Sequence, residues 1–318
     1  PLTRILSKRG IKQSLVLSYL FLIPGLLLLQ LSKLSLGLIM LSGVAYSIGK
    51  ILHGLSINSE FAVDSHSDSR DSESSKMLGI PNISRIIGPI AGGYILTYFG
   101  FSILVSISTT LFLLSAAVLL KSSEHRDPLE YDMKSLIKKN FTTTIPVFFA
   151  RGILNVTGVT VFALFTFLFI GNEIDTGFVA AADNVGLMLM ALISGKLSQK
   201  IDRKKIIALG LTGATALHLL RPFASTPLEA LAISGLGGIA FMTYEVPLFS
   251  KFADKAEDED ILEFYTLKRI VFKAGQLSII LAITLTGLFF DLKTGFQVAF
   301  LIAGLTSASA IFWTRKDW

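Results

Sequence analysis

Eight ionisable residues stand inside long apolar stretches of this chain: Lys50, His53, Arg85, Arg151, Asp183, Glu245, Arg269 and Lys273. A charged side chain at the centre of a lipid-spanning helix costs about 2.5 to 3.5 kcal/mol, so each is a functional candidate. Their types suit charge switching rather than bond making. A carboxylate such as Glu245 takes up and loses a proton, and a guanidinium such as Arg151 beside it favours the charged form. Nucleophilic and metal chemistry have little to work with. The chain has no cysteine, its histidines (His53, His66, His125 and His218) are scattered, and no H-E-x-x-H sequence occurs. Asp64, His66 and Asp68 are neighbours in sequence, but they lie in a Ser/Asp-rich tract, Asp64 to Lys76, that reads as a solvated loop. No metal, cofactor or catalytic residue is expected.

The elements that must position these charges follow from composition. Of 318 residues, 52% are hydrophobic and only 16% charged, with a mean hydropathy of +0.64. A soluble domain carries about 25% charge, so the apolar excess here must face lipid. A helix crosses a bilayer in roughly 20 apolar residues. Ten stretches qualify: Ser14 to Leu31, Ser35 to Ile57, Met77 to Tyr98, Phe101 to Leu120, Ile145 to Ile170, Thr176 to Gly195, Ile206 to Phe223, Leu228 to Ser250, Phe264 to Phe290 and Phe296 to Trp313. Helices are required, because lipid satisfies no open backbone group, and the short alternating strands of a barrel are absent.

Charge tests the layout. If the stretches alternate, twenty basic residues fall on one side, among them Arg4, Lys8, Arg9, Lys12, Lys121, Lys200, Arg203, Lys204 and Arg315. The other side receives Lys33, Arg221 and Lys293. That bias places the first set, and the C-terminus, in the cytoplasm. The net charge of +6 sits between apolar runs, so it points to the bilayer and not to nucleic acid.

An internal repeat divides the chain. Ser7 to Lys12 resembles Gln199 to Lys204 at an offset of 192, and Ser42-Gly43 recurs as Ser234-Gly235 at the same offset. Phe61-Ala62 recurs as Phe252-Ala253, one residue short of it. Residues 121–140 form the longest polar connection, so the expected domains are 1–120, the cytoplasmic loop 121–140, and 141–318. By the offset, the partner of the fifth stretch begins about fifty residues before Pro1, room for two more spans. The ten stretches are then expected to be helices three to twelve of a six-plus-six protein truncated at its N-terminus.

These residues resemble the major facilitator superfamily. Gly195 to Lys204, with Lys200, Asp202, Arg203 and Lys204, looks like its basic loop motif G-x-x-x-D-R-x-G-R-K, and Lys8, Arg9, Gly10 and Lys12 look like the tail of a first copy. Gln199 and Ser7 stand where the motif has aspartate, and Asp202 where it has glycine. Ser84 followed by Gly88-Pro89 and Gly92-Gly93 resembles the G-x-x-x-G-P-x-x-G-G pattern of helix five in exporters that exchange a drug for a proton, with Ser84 in place of a glycine. Such a positive loop holds anionic headgroups, and such small residues let helices approach closely.

Arg151 and Glu245 each lie about six residues to the cytoplasmic side of their helix centres, roughly 9 Å below the midplane at 1.5 Å per residue. His53 precedes Glu245 by the repeat offset of 192. In the family, helices one, four, seven and ten line the central cavity. The resemblance therefore implies that His53, Arg151 and Glu245 face one aqueous chamber, with Lys50, Asn155 and Tyr244 nearby. It also brings helices five and eight together, making Arg85 and Asp183 candidates for a gate. Arg269 and Lys273 are expected to snorkel to headgroups, and His218 and Arg221 to be peripheral.

The resulting expectation is an all-α membrane protein, a monomeric transporter of a small molecule across the plasma membrane by alternating access. Protons are the expected coupling ion, with efflux by antiport the leading direction. Nutrient symport, a membrane-embedded lipid-modifying enzyme and a non-transporting sensor on the same fold are the alternatives.

Overall fold

The computed structural model describes residues 10–31, 35–64, 70–119, 137–138, 140, 144–197, 200–257 and 261–315. Among these residues the structure is helical and holds no strand. The helices are α1 (Ile11–Gln30), α2 (Leu36–Asp64), α3 (Arg70–Gly79), α4 (Asn82–Phe99), α5 (Phe101–Leu119) and α6 (Thr144–Asn155). A π-helical turn, Val156–Val161, joins α6 to α7 (Phe162–Phe169). Then come α8 (Glu173–Leu197), α9 (Arg203–Leu220), α10 (Pro227–Glu257), α11 (Ile261–Phe289) and α12 (Leu292–Arg315).

Nine of the ten expected spans are long and apolar enough to cross a membrane, with α6, the π turn and α7 forming one of them from Thr144 to Phe169. The remaining stretch, α4, is helical too, but Asn82, Ser84 and Arg85 make its first turn polar. Large side chains such as Leu111, Leu285, Phe289 and Phe312 point outward, as lipid requires and water would not tolerate on this scale. The Ser/Asp-rich tract is not a plain loop: α2 runs on to Asp64, and α3 begins at Arg70 with Asp71 and Glu73 in its first turn, where acidic groups suit the helix dipole. His66 and Asp68 lie outside the described residues, as do Lys8, Arg9 and most of 121–140.

The chain forms two compact units. The first comprises residues 1–65, 95–136 and 256–269. In it α1 packs along α2 and against α5. The backbones of α1 and α2 nearly touch: a Cβ on Gly49 would come within 2.8 Å of the Ser18 carbonyl, and one on Gly25 within 3.0 Å of the Tyr46 amide. Ser42 Oγ closes the same seam by donating to the Gly25 carbonyl at 2.7 Å. Gly10, at φ 94°, turns the chain into α1 through backbone that L side chains rarely adopt.

The second unit comprises residues 66–94, 137–255 and 270–318. Here α9 packs along α12, α8 against α3, and α12 against α6. Phe162 and Phe165 stack edge-on against Phe300, at 5.9 and 5.3 Å between centroids, and form an aromatic core. Glycines set the close crossings. A Cβ on Gly152 of α6 would run into the Phe272 carbonyl of α11, and one on Gly275 of α11 into the Phe149 carbonyl.

Candidate functional site

The second unit holds the best-formed polar site. Arg151 on α6 donates from Nε to Glu245 Oε2 on α10 at 2.6 Å and from Nη2 to Oε1, a two-point guanidinium–carboxylate pair. The glutamate is buried, its side chain 3% exposed, and the arginine is partly buried at 14%. Phe252 and Phe272 flank the guanidinium with ring centroids at 5.8 and 5.6 Å. A desolvated pair like this holds together because each charge answers the other; removing either leaves the survivor stranded.

Neighbouring residues extend the site along α6. Asn155, one turn beyond Arg151, accepts from Gln276 Nε2 at 3.1 Å, and Gln276 in turn accepts from Lys273 Nζ at 2.8 Å. Lys273, expected to reach for headgroups, is thus tied to Asn155 through Gln276. The π turn starts at the next residue, Val156. Such a bulge breaks the regular hydrogen-bond ladder and recurs at functional sites in helices. Tyr244, 1% exposed, lies beside Glu245 in sequence and feels the charges of Arg151, Arg221 and Asp183.

Arg221 is not peripheral. It is 3% exposed and donates from Nη1 to His218 Nδ1 at 2.7 Å, with Phe162 4.8 Å below its guanidinium carbon. Gly158 of the π turn and Gly237 of α10 leave it room: a Cβ at either would stand 3.6 or 3.1 Å from its terminal nitrogens. The charge facing Asp183 is that of Arg221. Arg85 donates instead to Asn82 Oδ1 at 3.1 Å, so Arg85 and Asp183 are not joined in this structure. Their helices do touch: a Cβ on Gly177 of α8 would approach the Pro89 carbonyl of α4 to 2.6 Å, and one on Gly93 the Glu173 carbonyl to 2.9 Å.

The basic loop has a structural anchor. Asp202, standing where the family motif has glycine, caps α9 by accepting from the Lys204 amide at 2.7 Å. Arg203 then reaches two carboxylates: its Nη2 lies 2.9 Å from Asp71 of α3 and its Nη1 2.8 Å from Asp254 of α10. Ser250 donates to Ser74 at 3.0 Å, and Ser75 donates to the Ala191 carbonyl. These contacts bind α3, α8, α9 and α10 at one end of the unit. Gly195 lies in the last turn of α8, which ends at Leu197, and Lys200 is exposed in the turn beyond.

In the first unit Lys50 and His53 lie on one face of α2, where Arg269 of α11 joins them. Lys12 follows Gly10 in the first turn of α1, and Gly88 and Gly92 flank Pro89 within α4. Among the described residues no three His, Asp or Glu side chains gather as a metal site.

The fold and its membrane-buried charges define a polytopic helical transporter. The sequence profile described as Major Facilitator Superfamily matches residues 1–256, and the chain belongs to that family. Two crystal structures share the fold. One, of a variant of the E. coli fucose:proton symporter FucP, superposes with a TM-score of 0.65 at 14% identity, covering 99% of this chain and 86% of that one. The other, of FucP in the outward conformation, gives 0.65 at 13% identity with 99% and 85% covered. No curated protein matches. Enzyme chemistry is set aside on the family.

Proposed function

We propose that the chain couples the movement of a small molecule to protons by alternating access, and that Glu245 is the group whose protonation is linked to transport. The observation that carries this reading is the buried two-point pair between Glu245 and Arg151. While Arg151 is in contact, the carboxylate stays ionised; when α6 and α10 part, a lone buried carboxylate takes a proton rather than bear the cost of its charge. The π turn beside Asn155 supplies a place where α6 can yield. Lys50, His53, Asn155 and Tyr244 are the proposed solute-facing residues. Arg85 and Asp183, on touching helices, are proposed to meet in another state of the cycle. The half-bundles 1–120 and 141–318 are the proposed moving parts, in the plasma membrane with the C-terminus in the cytoplasm.

Efflux by antiport is the favoured direction, because Gly88-Pro89 and Gly92-Gly93 follow the exporter pattern. Symport is the second reading, supported by the fold likeness to a fucose:proton symporter. Liposomes carrying the protein and an internal pH dye separate the two when candidate solutes, fucose among them, are added outside. Antiport makes the interior more alkaline as solute enters, and symport makes it more acidic. Glu245→Gln is expected to abolish either response. A solute-driven proton flux of equal size in that variant defeats the assignment.

A further inference from the structure

The first unit concentrates positive charge that the Glu245 pair does not use. Lys50 and His53 lie three residues apart on α2, and Arg269 comes to the same turn from α11, its Nη2 3.4 Å from the Lys50 carbonyl. The guanidinium occupies the space in front of Gly54, where a Cβ would overlap it. The charged groups facing His53 are Lys50 and Arg269, both cationic. Aromatic rings support the cluster: Tyr19 meets His53 edge-on at 5.9 Å, and the Lys50 ammonium stands 5.9 Å from the centre of the Tyr46 ring.

Two atoms of the cluster lack an answering group. His53 Nδ1 and Arg269 Nε are buried with no hydrogen-bond partner. Among the described residues no carboxylate pairs with Arg269, whereas Arg151 has Glu245 and Arg203 has both Asp71 and Asp254. A guanidinium does not shed its proton, so this charge persists. Snorkelling accounts for one long side chain bending toward headgroups. It does not account for a glycine opened to seat the guanidinium, nor for two more basic residues on the same turn.

We propose that Lys50, His53 and Arg269 bind a carboxylate or phosphate group of the transported solute. The proposal rests on the transporter reading above and names its substrate class, an organic or inorganic anion. The planar fork of Arg269 offers parallel N–H donors to two oxygens of such a group, Lys50 adds an ammonium, and His53 donates from Nδ1 in the tautomer protonated there. Bringing the anion in satisfies the two orphaned nitrogens and neutralises the charge of Arg269, which no carboxylate among the described residues answers.

Thermal unfolding of the purified protein in a neutral detergent tests this without a known substrate. Inorganic phosphate or acetate, compared with chloride at matched ionic strength, is expected to raise the Tm. Arg269→Gln is expected to weaken that effect at least tenfold in apparent affinity. Gly54→Ala gives a second reading, since it keeps a good helix former in place and every charge present, yet displaces the guanidinium; it is expected to weaken the effect as well. Equal Tm values in phosphate, acetate and chloride overturn the proposal, and so does an oxyanion effect that both variants retain in full. Nanodiscs of phosphatidylcholine with and without phosphatidylglycerol form the lipid arm: stabilisation by the anionic lipid alone, with none from free oxyanions, also overturns it. No proton gradient enters these measurements, so a negative result leaves the Glu245 assignment standing, and a failure of Glu245→Gln leaves the anion site standing.

Discussion

The two units treat their charges differently. In the second, Arg151 and Glu245 meet at two points, Arg203 meets two carboxylates, and Arg221 rests on a histidine nitrogen and an aromatic face, although Arg221 Nε and Asp71 Oδ1 find no hydrogen bond. In the first, Arg269, His53 and Lys50 share one turn of α2 and two of their nitrogens go unsatisfied. A charge answered from within stabilises the fold and can switch only if its helices part. An unanswered one costs stability and leaves its binding capacity for something that comes and goes. Proteins commonly accept such a cost at functional sites.

The sharpest contrast should appear on replacing each arginine by methionine. Arg151→Met strands Glu245 and is expected to cost about 3–5 kcal/mol, largely recovered in the double variant Arg151→Met/Glu245→Met. Arg269→Met removes a charge that no carboxylate among the described residues answers, so stability should stay level or rise. Unfolding in detergent checks both, and a large loss in Arg269→Met erases the distinction. Glycine substitutions give a middle-sized effect. Gly152→Ala presses a Cβ onto the Phe272 backbone carbonyl, which cannot step aside, and is expected to cost about 1–3 kcal/mol. Gly54→Ala meets only the mobile end of Arg269 and should cost much less, as Tm measurements on the pair would register. The smallest effect belongs to Asp254→Asn. Asp254 is 39% and its partner Arg203 31% exposed, and Arg203 keeps Asp71, so the loss in unfolding free energy should be about 1 kcal/mol or less.

Much of the scaffold is legible in the sequence because lipid leaves the backbone so few options. Length of apolar run, alternation of basic residues and the repeat at 192 suffice to lay out the spans. Among the described residues α4, with Asn82 and Arg85 in its first turn, is less apolar than the nine helices that are long and apolar enough to cross a membrane. The shared depth of Arg151 and Glu245 is legible as well, each lying at a matched count from its helix centre, whereas that their helices meet is implied only by the family resemblance. Their use in coupling is not legible. Direction is what depth counting misses. Arg221 sits near a helix end, which suggests the periphery, yet its side chain turns inward because Gly158 and Gly237 leave a space lined by Phe162. The same holds for Arg269 and Gly54. A glycine's role as a seat depends on which side chain faces it, and a single sequence does not record that. Helix α3 inside the Ser/Asp tract is a similar case, since its helicity draws on packing against α8 as well as on Asp71 and Glu73 at its start.

The most direct measurement follows the proton itself. Infrared difference spectra of the reconstituted protein, taken between acidic and alkaline buffer, report carboxylic acid groups that gain or lose a proton. The expected result is a carbonyl band from a buried carboxylic acid that is present in the native chain and missing in Glu245→Gln. Superimposable spectra from the two proteins would contradict a role for Glu245 as the coupled group.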